Sequence, residues 1–97
     1  MTAYAALVDA ERRLNILRVL AESTQYTASA DLLHTVLAGL GLATSHDRLN
    51  TDLEWLHEQG LVALERIGDV PMARATARGV DVSRGLASVP GVARPKP

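Results

Sequence analysis

The stretch Ser45-His46-Asp47-Arg48-Leu49-Asn50-Thr51-Asp52-Leu53-Glu54-Trp55-Leu56-His57-Glu58-Gln59-Gly60-Leu61-Val62 decides how this chain folds. A serine can accept a hydrogen bond from the free N–H groups of a helix start, so Ser45 is the expected cap; Gly60 is placed as a glycine stop. Between them Leu49, Leu53 and Leu56 recur at i, i+4 and i+7, one side of a helix running to about Gln59. The rest of that helix is polar except Trp55, at the border of the stripe. After Gly60 the period changes from helix to strand: Val62, Leu64 and Arg66 point one way, Ala63, Glu65 and Ile67 the other. Gly68-Asp69 supplies a turn and Met72 to Thr76 a returning strand, with Pro71 tolerated only at its start or on an edge.

Two helices are expected ahead of this stretch. From Asp9 to Glu22 the residues Ala10, Leu14, Ile16, Leu17, Leu20 and Ala21 share one side, with Asp9 as the expected cap and Tyr4 to Val8 as a forward extension. Arg12, Arg13 and Arg18 read as surface charges in local pairs with Glu11 and Glu22. Thr24 to Thr27 suits a short extended link or edge strand. Ser29 then caps a second helix with Leu32, Leu33, Val36, Leu37 and Leu40 as its apolar set, ended by Gly39 and Gly41. Beyond the hairpin, Thr76 caps a last short helix that stops at Gly85, and Pro90, Gly91, Pro95 and Pro97 predict an extended tail. The expected organisation is one α+β domain over residues 1–85, with a Pro-rich tail over 86–97. Its core is built on Leu14, Leu17, Leu20, Val36, Leu37, Leu49, Leu53, Leu56, Val62 and Leu64.

Helix, link, helix, tight turn, helix and hairpin is the order of a winged helix-turn-helix, in which the third helix enters the DNA major groove and the hairpin lies beside it. Two segments, Arg13 to Glu22 and Ser45 to Val62, resemble the first helix and the recognition-helix region of winged-helix transcriptional regulators of the arsenic-repressor type. Tyr26, Ser45 to Arg48, Leu53 to Val62, Thr76 to Val82 and the ending Val89-Pro90-Gly91-Val92-Ala93-Arg94-Pro95 are similar to a family of small proteins of Mu-like transposable phages and prophages. That resemblance runs over nearly the whole chain, tail included, and implies a phage or prophage origin.

In regulators of that type the DNA-facing residues lie in the first turns of the third helix. The matching positions here are Ser45, His46, Asp47, Arg48, Asn50 and Thr51, of which Ser45, His46, Arg48, Asn50 and Thr51 can donate to phosphates or base edges. Charge departs from the pattern. Residues 1–65 carry four arginines against nine acids, net −5; residues 66–97 carry six cations against two acids, net +4. The third helix holds Asp47, Asp52, Glu54 and Glu58 against Arg48 alone. Binding of double-stranded DNA therefore requires Arg66 and Arg74 on the hairpin, Arg78 and Arg84 after it, and Arg94 and Lys96 on the tail to supply the phosphate contacts. The alternative is a winged-helix adaptor that joins another phage protein in gene control, packaging or assembly, with the acidic helix as its contact surface.

Trp55 has two readings: partial burial against the hairpin or the first helix, or an anchor for a partner. The apolar lead Tyr4 to Val8 predicts a homodimer with Leu7 at the interface. No enzyme constellation is expected. The chain lacks cysteine, so thiolate metal or redox sensing is not carried over from arsenic-repressor relatives. His34, His46 and His57 lack metal-ligand spacing and read as surface residues, and Gly39-Leu40-Gly41 has no following lysine for a phosphate loop. No cofactor, metal or membrane contact is expected. Charges early in the chain break up any signal-type stretch, so the expected location is the cytoplasm of a bacterial host.

Overall fold

A computed structural model describes residues 2–96. Among them it holds four α-helices and a three-stranded antiparallel sheet: α1 (Ala3–Glu22), β1 (Thr27–Ser29), α2 (Ala30–Gly39), α3 (His46–Glu58), β2 (Val62–Ile67), β3 (Val70–Ala75) and α4 (Ala77–Ser83). The fold is α+β, and the order of its elements is compatible with a winged helix.

The caps follow local chemistry. Ser29, Ser45 and Thr76 each sit extended before a helix, and their hydroxyls accept from Leu32, Arg48 and Gly79 N–H. Asp9 is not a cap. Thr2 takes that role, accepting from Ala5 N–H at 3.1 Å, because Ala3, Ala5, Ala6 and Leu7 are good helix formers that carry α1 forward by two turns. Three helices end in the same motif, with Gly41, Gly60 and Gly85 at positive φ and the next residue, Leu42, Leu61 or Leu86, donating to the carbonyl five residues back in the helix.

Thr24–Tyr26 forms a tight turn, with Gln25 and Tyr26 both left-handed, so the expected edge strand begins only at Thr27. The strand order is β1-β3-β2, which makes β3 central. Pro71 is tolerated there because β1 reaches only Met72, Ala73 and Arg74, leaving Pro71 paired with Arg66 alone. Register fixes the faces: Val62, Leu64 and Arg66 share one with Pro71, Ala73 and Ala75, while Ala63 and Glu65 share the other with Met72 and Arg74.

The first face covers the core, formed by Leu14, Ile16, Leu17 and Leu20 of α1, Leu33 and Leu37 of α2, and Leu49, Leu53 and Leu56 of α3. Val36 and Leu64, expected inside, are half-buried, and Leu32 and Leu40 are exposed at the margins of the α2 stripe. Gly79 admits close packing of α4: a Cβ there would stand 2.0 Å from the Leu61 carbonyl oxygen. Residues 86–96 do not stand off from the body as a free tail. Val89 and Val92 are buried in the common core, and Ala93 N–H donates to the Ala10 carbonyl of α1 at 3.1 Å.

Candidate interaction surface

The surface is set by how α3 is held. Asp52 lies on its inner side with no exposure, and both carboxylate oxygens are taken: Arg12 Nε donates to one and Arg13 Nε to the other, the latter at 3.1 Å. Arg12 also donates to Asp9 at 2.7 Å and is itself 4% exposed. Arg12 and Arg13 are thus not surface charges paired with Glu11 and Glu22; they lock α1 to α3. The hydrogen bond from Arg12 holds the Asp9 carboxyl below its usual range against the opposing effect of burial, and the charges of Arg12, Arg48 and Arg13 add to it. Burial works against the Arg12 charge, but the bonds to Asp52 and Asp9 outweigh it and hold the guanidinium above its usual value.

Trp55 is half-buried on the same flank, with the Arg13 guanidinium 4.2 Å over its ring and Gly91 against its edge. Its partners within the chain are α1 and the C-terminal segment. Arg13 also donates to the Gly91 carbonyl at 3.1 Å, which straps that segment down.

With Leu49, Asp52, Leu53 and Leu56 inward, the residues farthest from the core are Asp47, Thr51, Glu54 and Glu58, spaced i, i+4, i+7 and i+11 and all exposed. This row carries three carboxylates and no cation. Arg48, the one cation of α3, lies on the flank toward α1, near enough to influence Asp9. Beside the row, α3 and the hairpin border a groove of about 430 Å³, lined by Leu53, Leu64 and Pro71 and by Asn50, Glu54 and Arg66, with Glu65 and Met72 of the other sheet face also bordering it.

Ser45, His46, Arg48, Asn50 and Thr51 are all exposed around the first turns of α3, and Asn50 shares the groove with Arg66. Arg74 does not join them. It stands on the opposite face of the sheet, 3.5 Å from Glu65, with both side chains about half exposed. Arg66 donates to the Asp69 carbonyl at 3.0 Å and Arg78 to the Gln59 carbonyl at 2.9 Å. Arg94 and Lys96 do not extend toward the hairpin on a free tail, since the segment is tied at Gly91 and Ala93 and Pro95 lies beside Gly85. Leu7 is 69% exposed and Tyr4 76%, so the start of α1 is left uncovered.

Over 91 residues, 94% of each chain, the sequence is 36% identical to gp26, an uncharacterized protein of Escherichia phage Mu. The chain belongs to the phage Mu gp26 family. An uncharacterized protein of Haemophilus influenzae is 38% identical over 66 residues, 68% of this chain and 64% of that protein. No protein-family profile and no solved structure matches the chain.

In this gp26-family protein the ion cluster and a histidine pair escape a reading of the sequence. At about 100° per residue Asp52 falls next to Leu56 on the helix circumference, between it and Trp55, and that position is the available signal that its carboxylate is inward. His34 of α2 and His46 of α3 stack with ring centroids 3.9 Å apart and planes at 10°, and His34 Nε2 lies 2.8 Å from the Thr44 carbonyl. Two rings brought together across the α2–α3 turn leave no trace in spacing. Among the described residues no three His, Asp or Glu side chains are grouped to hold a metal ion, and no helix is long and apolar enough to cross a membrane.

Proposed function

We propose that this phage Mu gp26 relative is a winged-helix adaptor whose α3–wing face docks a protein partner in phage gene control, packaging or assembly. The observation that carries the reading is the row Asp47, Thr51, Glu54 and Glu58. In a winged helix docked in the major groove this row would turn three carboxylates toward phosphates, where affinity depends on cations. The wing does not repair the deficit, because Arg66 is turned to its own loop and Arg74 faces away. Against a protein, the same face offers apolar lining residues with a polar rim of Asn50, Glu54, Glu65 and Arg66, the composition of a docking groove.

The second reading, a DNA-binding regulator, is favoured by one feature: Asn50 and Arg66 border the same groove, as a recognition helix and wing would. A photo-cross-linking amino acid at position 54, introduced during infection by a phage carrying this gene, separates the two. Protein docking gives an adduct sensitive to protease and resistant to nuclease. A nuclease-sensitive adduct overturns the reading.

A further inference from the structure

Leu86 breaks a pattern the chain keeps elsewhere. In the glycine-terminated ends of α2 and α3, the residue after glycine packs back on the last turn: Leu42 donates to the Leu37 carbonyl at 2.9 Å and packs on the core, and Leu61 donates to Leu56 at 3.0 Å and has no exposure. At the end of α4, Leu86 makes the same backbone bond, to the Asp81 carbonyl at 2.9 Å, yet its side chain is 75% exposed. The physical reason is that the residue it would pack on is Asp81, which is charged and exposed. A well-fixed turn thus holds out an apolar side chain that has no counterpart within the chain. Next to it, Arg84 and Arg18 border a second hollow, between α1 and α4, shared with Glu22. Neither arginine has an ion pair or side-chain hydrogen bond among the described residues.

The α3–wing groove has an apolar lining of Leu53, Leu64 and Pro71 with Glu54 on its α3 side, while its hairpin side carries both Glu65 and Arg66. The two hollows share no residue and no element, so a molecule cannot fill its own groove with its own Leu86 turn without refolding. We propose that the occupant of the groove is a second copy of this chain, its Leu86 seated on the apolar lining and its Arg84 against Glu54. The inference rests on the protein-docking reading of the α3–wing face. The contact is heterologous, one surface of one copy meeting a different surface of the next, so it propagates head to tail. Its ionic part is exposed and weakens with salt, while the seat of Leu86 does not.

Sedimentation of the full chain, from low micromolar to near-millimolar concentration and at low and high salt, tests the proposal with Glu54→Arg and Arg84→Glu. Both side chains are exposed, so folding is checked by circular dichroism and expected to be unchanged. The wild type is expected to grow beyond a dimer with concentration, and less so in high salt; each variant is expected to remain a monomer. Mixed in equal amounts, the variants are expected to regain growth beyond a dimer, because one junction then pairs the native Arg84 with the native Glu54 and the next pairs the two substituted side chains, whose charges are again opposite. A monomeric wild type at all concentrations overturns the inference, as does a mixture that stays monomeric. A dimer that survives both substitutions and disappears on Leu7→Glu overturns it too, assigning self-association to the exposed start of α1. These outcomes leave the docking reading itself to stand or fall on the adduct formed at position 54.

Discussion

Arg12 of α1 donates through Nε to Asp52 of α3, a carboxylate with no exposure forty residues further along the chain. With Arg13 on the other oxygen and Asp9 behind Arg12, the cluster fixes how α3 rotates against α1 and hence which of its residues face out. Removing one partner of a buried pair leaves the other charge uncompensated, so Asp52→Ala is expected to cost about 3 to 5 kcal/mol. Urea denaturation checks it; a loss under about 1 kcal/mol would mean that water reaches the cluster.

Leu53 belongs both to the buried stripe and to the lining of the groove, at 5% exposure. Leu53→Ala is expected to destabilise by about 2 to 5 kcal/mol, read from thermal melts, because the site cannot collapse fully around the missing atoms. A smaller loss would mean that α3 is not packed through Leu49, Leu53 and Leu56.

Deleting residues 88–97 is expected to uncover Trp55 and remove Val89 and Val92 from the core. A fully buried valine contributes about 1.5 to 3 kcal/mol, so the loss of stability should reach at least about 2 kcal/mol. Trp55 emission should shift to the red. Unchanged emission would show that the strap over the ring does not form in solution.

The helix boundaries are legible in the sequence because capping is local. Ser29, Ser45 and Thr76 name the starts, and Gly41, Gly60 and Gly85 the stops, without reference to the rest of the fold. Interactions made across the chain are not. Arg12 and Arg13 look like surface charges because Glu11 and Glu22 are near in sequence while Asp52 is near only in space. The prolines of residues 86–97 signal extended backbone but hide the anchoring role of Val89 and Val92. Arg66 and Arg74 read together as wing cations; their separation to opposite faces needs the register, which pairs Arg66 with Pro71 and so puts Arg74, three residues on, on the other side.

Acid should loosen the α1–α3 lock through Asp9. Its folded-state pKa is lowered, so its ionised form favours the folded state; that contribution is present at pH above the ordinary value of 3.8 and disappears as pH falls below it through the lowered value. Asp9→Asn is expected to flatten this part of the stability curve. Urea midpoints measured through that range check it, and a variant as acid-sensitive as wild type would place the loss elsewhere.

Retention of the wild-type chain on mixed genomic DNA fragments, titrated with salt from low ionic strength, tests most directly whether the face formed by α3 and the hairpin is built for protein. With Asp47, Glu54 and Glu58 outward, Arg74 turned away and Arg66 held to its loop, little or no salt-dependent retention is expected. Tight retention with a steep salt slope, falling by about one for each phosphate left unneutralised when Arg66 and Arg74 are replaced by alanine, would contradict it.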